Sequence, residues 1–101
     1  MIIREWRGDA ALARADAYPV HFREVVLPEL RRIPGFLGAS LGQRLLADRI
    51  EFQVLTRWQS LDAVRAFSGD DLDAAVVEPA AAIALLNYDR TVRHYEMIEE
   101  A

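Results

Sequence analysis

Glu51-Phe-Gln-Val-Leu-Thr-Arg-Trp-Gln-Ser-Leu-Asp-Ala-Val-Arg-Ala-Phe67 decides the fold. Phe52, Val54 and Trp58 fall on one side of an extended chain by period two. Two residues after Trp58, Ser60 is a good helix N-cap. Leu61, Val64 and Phe67 then supply a short apolar helical face. A strand therefore runs almost directly into a helix that packs back on it.

Working outward, Met1 to Arg7 reads as a first strand, rich in β-branched and aromatic residues, broken by Gly8-Asp9. From Ala10 to Arg32 the pattern is helical, capped by Asp9 or Asp16. Phe22, Val26, Leu30 and Ile33 form one stripe, with Tyr18 and Val25 on its flank. Pro19 fits near a helix start, whereas Pro28 removes an amide in the middle and predicts a kink or break. Ile33-Pro-Gly-Phe36 ends the helix and turns the chain. Phe36 to Leu46 is a second strand, in which Gly38 and Gly42 suggest a bulge or close backbone approach. Ala47-Asp48-Arg49 makes the turn into the strand Ile50 to Trp58, which completes a hairpin. After Ser68-Gly-Asp70, a further helical stretch is expected, capped by Asp70 or Asp71, with Leu72, Ala75 and Val76 as its apolar face. Glu78-Pro79 marks a break, Ala80 to Leu86 reads as helical, and Arg90 to Ile98 is a last strand opened by Asn87 or Asp89.

The order is β-α-β-β-α-β. It implies a ferredoxin-like α+β domain with a four-stranded antiparallel sheet and helices on one face. The 101 residues make a single domain, residues 1–101. Val54 and Leu55 point to opposite sides of one strand, so both sheet faces carry apolar residues. With 52% of residues apolar, a chain this short cannot hide them all. A homodimer formed through the open sheet face is the simplest remedy.

Composition removes several function classes. There is no cysteine, so thiol catalysis, thiolate metal sites and iron–sulfur clusters are excluded. Every basic side chain apart from histidine is arginine, which excludes a Schiff-base lysine and lysine-anchored pyridoxal phosphate. A net charge of −4, without a basic block, argues against nucleic acid as partner. Arg4, Glu5 and Arg7 interrupt the opening apolar residues, and no apolar run is long enough for a membrane span. A cytoplasmic location is expected, with no membrane partner.

Three segments carry a family resemblance. They are Tyr18…His21-Phe-Arg-Glu…Leu27-Pro-Glu-Leu…Ile33-Pro-Gly-Phe36; Leu55-Thr-Arg-Trp-Gln-Ser-Leu-Asp-Ala-Val-Arg-Ala-Phe-Ser-Gly-Asp-Asp71 with Ala75-Val-Val-Glu-Pro79; and Arg93-His-Tyr-Glu-Met97. Together they resemble the antibiotic-biosynthesis-monooxygenase-like proteins, in an uncharacterised branch. The resemblance implies a dimeric α+β barrel with a cavity between helices and sheet in each subunit. The family it points to includes cofactor-free monooxygenases of polycyclic phenols or quinol-like substrates, haem-degrading enzymes, and many members with no known activity. In the haem-degrading branch a Trp and a His of the second helical segment act with an Asn of the first strand. Those Trp and His positions fall here at Phe67 and near Val77. The only asparagine is Asn87. Haem degradation by that scheme is not expected.

The candidate catalytic residues are His94 and His21. His94 alternates with Val92 and Glu96 on the last strand, and as a general base could take a phenolic proton. The alternative is an ordinary surface or interface pair with Glu96. His21 lies at the edge of the helical stripe, one turn from Tyr18 and Val25; the alternative is a partly buried, hydrogen-bonded histidine. The substrate-binding candidates are Arg4, Trp6, Tyr18, Phe67 and Tyr95. Arg4 would bind an anionic oxygen and Trp6 would stack on a ring, or the two make cross-strand contacts instead. Phe67 anchors its helix and walls the cavity; Tyr95 holds a substrate oxygen or sits at the dimer interface. Trp58 reads as core. His94-x-Glu96 with His21 is no dedicated metal motif, so no metal is expected. No cofactor fingerprint is present. The expected ligand is a small hydrophobic aromatic or polyketide-like molecule, with a non-catalytic small-ligand or haem-like binding module and an acid–base isomerase as the rival functions.

Overall fold

The computed structural model describes residues 1–101. The elements are β1 (Ile2–Ala11), a 3-10 turn (Leu12–Arg14), α1 (Ala17–His21), a π turn (Phe22–Val26) and α2 (Leu27–Arg31). Next come β2 (Phe36–Leu45), β3 (Arg49–Trp58), α3 (Leu61–Ser68), α4 (Pro79–Ala84), β4 (Asn87–Tyr88) and β5 (Arg93–Glu96). The sheet runs β2-β3-β1-β4 in space, with β5 pairing β1 beside β4, and every pairing is antiparallel. This is the expected α+β architecture, with the last strand divided in two.

Where the structure departs from the sequence reading, the cause is local. β1 does not stop at Gly8-Asp9 but pairs with β3 as far as Ala11. Gly8 is there for close approach: a Cβ at that position would lie 2.7 Å from the Trp6 ring. Asp9 accepts a 2.9 Å bond from Arg49 Nη1, which also belongs to the ladder. Asp16, at the start of α1, makes no side-chain cap bond. Pro28 does not break the helix. Instead the preceding turn widens, and the Leu27 amide donates to the Phe22 carbonyl, five residues back. Residues four apart drift about 40° around an ordinary helix. The wide turn absorbs that drift, so Tyr18, Phe22, Val26 and Leu30 stay on one face.

The Pro34-Gly35 turn behaves as read. Gly35 has φ +90°, and an added Cβ would lie 2.6 Å from Ala63 Cβ. Its carbonyl accepts from the Gln59 amide, tying this turn to the β3–α3 junction. The Ser60 side chain caps α3 by accepting from the Ala63 amide at 3.2 Å. The strand β2 carries a register shift between Phe36 and Gly38. Leu61, expected on the α3 apolar face, is exposed; Val64 is buried.

The largest correction concerns the chain after Gly69. No helix forms between α3 and α4. Residues 69–78 run as an irregular strap whose Ala74 bridges Thr91. The Ala75 amide donates to the Arg90 carbonyl, and Val92 to the Asp73 carbonyl. The carbonyls of Leu72 and Ala74 accept 2.7 Å bonds from the Arg4 guanidinium. Here those carbonyls are turned to Arg4 and the segment is not helical, so the helical pattern loses to tertiary hydrogen bonds. The same pull divides the last strand. The Asp89 carbonyl accepts from Trp6 Nε1 at 3.0 Å, and its carboxylate accepts from Arg93 and the Arg7 amide.

All helices lie on one sheet face, where two core clusters form. One gathers Trp6, Ala10, Tyr18, Phe22, Phe52, Val54, Ala81 and Val92; the other joins Leu30, Trp58 and Val64. Trp58 is fully buried, and its indole N–H donates to Thr56 Oγ1 at 2.8 Å. The open face is more polar than expected. Ile3, Leu55 and Tyr95 give it one apolar end. Beside them Glu5 is covered by Arg93, Arg7 and Gln53. No helix is long and apolar enough to cross a membrane.

Candidate functional site

The two core clusters do not close on each other. Between them lies a cavity of about 50 Å³, lined by fourteen residues, ten of them hydrophobic. The floor is the helix-side face of the sheet: Arg4 and Trp6 from β1, Val54 and Thr56 from β3, and Val92. The roof is the α1–α2 stripe, namely Tyr18, His21, Val26 and Leu30. Phe67 of α3, Ala81 of α4, and Val76, Val77 and Glu78 of the strap form the walls. The alternation of β1 and β3 and the widened helical turn are therefore what gather these side chains.

Only four of the lining residues are polar: Arg4, His21, Thr56 and Glu78. Arg4 is 4% exposed, and no salt bridge joins it to a carboxylate. Its bonds go to the carbonyls of Leu72 and Ala74 and, at 2.9 Å, to His94 Nε2. Nε donates to no protein acceptor. The guanidinium carbon lies 5.7 Å from the Phe67 ring centroid, a cation–π distance. Burial lowers the Arg4 pKa to about 10, with Asp73 pulling the other way. A buried cation without a partner anion is costly, and it leaves an electropositive spot in an apolar space.

His21 Nε2 is buried and has no hydrogen-bond partner in the structure. An orphaned imidazole nitrogen inside a cavity wall is the usual mark of a group awaiting a ligand or water. Glu78 stands on the same wall. Burial raises its pKa, the charge of and a hydrogen bond with Glu29 raise it further, and His21 opposes the rise. Tyr18 is 5% exposed, and burial pushes its phenol far up. Its ring centroid lies 5.3 Å from Trp6 and 6.2 Å from His21, so it braces both.

Of the residues singled out from sequence, Arg4, Trp6, Tyr18, His21 and Phe67 line one cavity. His94 does not: it stands behind Arg4, its Nε2 taken up by the guanidinium and its Nδ1 3.5 Å from Asp73 Oδ1. Tyr95 faces the opposite side of the sheet and is 52% exposed. Sequence reasoning passed over Glu78, Thr56 and the strap valines. In the sequence Glu78-Pro79 shows only as a break, and Thr56 only by its parity with Val54 and Trp58. No three histidine, aspartate or glutamate side chains cluster as metal ligands would.

Residues 1–78 match the family model described as antibiotic biosynthesis monooxygenase. Among solved structures, a proposed antibiotic biosynthesis monooxygenase from Bacillus cereus superposes with a TM-score of 0.69 at 18% identity, covering 100% of this chain and 96% of that one. A proposed enzyme of the same kind from Deinococcus radiodurans gives 0.61 at 19%, covering 100% and 96%. The haem degrader MhuD of Mycobacterium tuberculosis, with two haems bound in its active site, gives 0.56 at 18%, covering 98% of each chain. At such identities the likeness is one of fold. No curated protein matches the chain in sequence.

Proposed function

This chain belongs to the antibiotic biosynthesis monooxygenase family, and from that premise we propose that it oxygenates an acidic, hydrophobic aromatic of the quinol or anthrone type without a cofactor. One observation carries the reading: the free His21 Nε2 and the anion-less Arg4 line the same apolar cavity. His21 is then the general base, taking the acidic proton of the bound substrate. Arg4 holds the resulting oxyanion through its unengaged Nε. Trp6, Tyr18 and Phe67 hold the rings. The electron-rich anion reduces O2. For an anthrone, the methylene carbon gives up four electrons to O2 as it becomes the new ring carbonyl with one oxygen atom, and the other oxygen atom leaves as water with both methylene hydrogens. His94 and Tyr95 take no part in contacts with substrate in this scheme. A single domain that pairs through its open sheet face with a second copy completes the proposal.

The cavity of about 50 Å³ admits a few waters. A fused-ring phenol needs more room, so binding displaces the strap that carries Val76, Val77 and Glu78. A porphyrin is larger still and does not fit the cavity with that wall in place. Phe67 and Val77, at the positions resembling the haem branch's Trp and His, are apolar and line the cavity.

The test is a thermal-shift panel of quinols, anthrones, flavonoids and haem, followed by O2 uptake with each stabilising compound. A phenolic hit that consumes one O2 per quinone formed is the expected result. Stabilisation without uptake, and without loss on His21→Ala, would replace the oxygenase with a small-ligand binding module. Product formation in the absence of O2 would replace it with an acid–base isomerase.

A further inference from the structure

Arg4 and His94 face each other across the β1–β5 ladder, and their side chains meet at 2.9 Å between Nη1 and Nε2. A guanidinium has no acceptor, so His94 Nε2 must accept. Its proton then sits on Nδ1, the nitrogen 3.5 Å from Asp73 Oδ1. That tautomer is the one in which both ring nitrogens find a partner of the right kind. Asp73 lies in the strap between Leu72 and Ala74, the two residues whose carbonyls take the other Arg4 bonds. Arg4, His94 and the strap thus close a ring of contacts behind the cavity wall.

We propose that His94 is a positioning residue: as the neutral Nδ1-protonated tautomer it holds Arg4 aimed into the cavity, and on protonation it lets go of Arg4. Protonated His94 has no acceptor for Nη1 and places a positive charge against the guanidinium. The charged groups facing His94 are Arg4 from β1 and Asp73 from the strap, with Glu96 on its own strand face. Phe67 of α3 lies over Arg4 and carries no charge. Burial and then Arg4 lower the His94 pKa, with Asp73 opposing, so the holding state is the one present at neutral pH. The role of Arg4 as anion holder comes from the proposed oxygenase reading; the tautomer and the ring of contacts do not depend on it.

Two experiments separate these parts. Long-range nitrogen-15 NMR of the imidazole rings at neutral pH is expected to show His94 neutral and protonated on Nδ1, titrating below the ordinary histidine range. A proton on Nε2, or a cationic His94 at neutral pH, would overturn the proposal whatever the protein turns over. The second experiment is fluorescence titration with a naphthalenesulfonate, which stays ionised throughout. Wild-type affinity is expected to fall about tenfold as pH drops through the His94 titration, the size of one lost hydrogen bond to a charged group. His94→Gln places an amide oxygen where Nε2 stood and cannot protonate; it should keep neutral-pH affinity and lose that fall. His94→Leu should bind about tenfold more weakly at every pH. Identical pH profiles for wild type and His94→Gln would sink the idea. A wild type that binds no probe at neutral pH counts against Arg4 as anion holder, and the tautomer then decides His94 alone.

Discussion

Arg4 and Glu5 are neighbours in sequence, and both are almost wholly buried, at 4% and 6% exposed. Strand alternation sends them to opposite faces of the sheet, and the two faces treat charge differently. On the open face Glu5 accepts from Arg93 at 2.7 Å and from Arg7 at 3.2 Å, with Gln53 as a third donor. On the helix face Arg4 meets two carbonyls and an imidazole, and no carboxylate. A neutralised charge belongs to the architecture. An un-neutralised one beside a cavity raises the local energy in a way that a ligand of opposite charge relieves.

Breaking the helix-face half of the pair should give the largest effect. Arg4→Met removes the proposed oxyanion partner, and kcat/KM for a phenolic hit should fall about a hundredfold to a thousandfold. The strap also loses its anchor, so the amides of Ala75 and Val92 should exchange with deuterium faster. Unchanged turnover would place Arg4 with Glu5, as architecture. His21→Ala comes next, with an expected loss of about a hundredfold in kcat and little change in melting temperature, since no hydrogen bond is removed. A large fall in stability would mean that Nε2 holds a structural water rather than awaiting a substrate proton.

The open-face half should respond in the opposite currency. Glu5→Ala leaves Arg93 its bond to Asp89 and lets Arg7 turn to solvent. The expected cost is about 1–2 kcal/mol of stability by denaturant titration, typical of lost hydrogen bonds to a charged group. Ligand affinity and turnover should stay within twofold of wild type. A larger loss of turnover would show that the two faces communicate through β1.

Much of this contrast was legible in the sequence, and the illegible part has a physical cause. Period-two alternation places Arg4 and Trp6 together, and the Trp58-Gln-Ser60 junction fixes how α3 returns to the sheet. Tyr18 and His21 follow from the helical stripe. Hydrogen bonds between distant segments leave no such periodic trace. The strap reads as a helix because Leu72, Ala75 and Val76 have helical spacing, yet Arg4, 68 residues from Leu72, takes the carbonyl a helix would use. His94 reads as a base because alternation shows its face and not its partner. Glu78 is hidden by the proline after it, which reads as a break in the helical pattern and says nothing of the carboxylate beside the cavity.

Acid should take the two faces apart in different pH windows, a small effect that sharpens the comparison. His94 has a folded pKa lowered from 6.5, so below 6.5 the unfolded chain takes up the proton first. Its contribution to stability is complete above 6.5 and is lost as pH falls through the folded value. Glu5 has a folded pKa lowered from 4.5, chiefly by its hydrogen bond to Arg93, with burial opposing. Its contribution is complete above 4.5 and is lost as pH falls through its own lower value. Glu78 runs the other way: its folded pKa lies above 4.5, so its contribution is present below 4.5 and fades as pH rises through the folded value. Denaturant midpoints between pH 7 and pH 3 should therefore fall in two stages, the first offset in part by Glu78. His94→Gln should remove the first stage alone and Glu5→Gln the second alone. If either substitution removed both stages, the two faces would share one electrostatic unit, and the division between an architectural charge and a poised one would not hold.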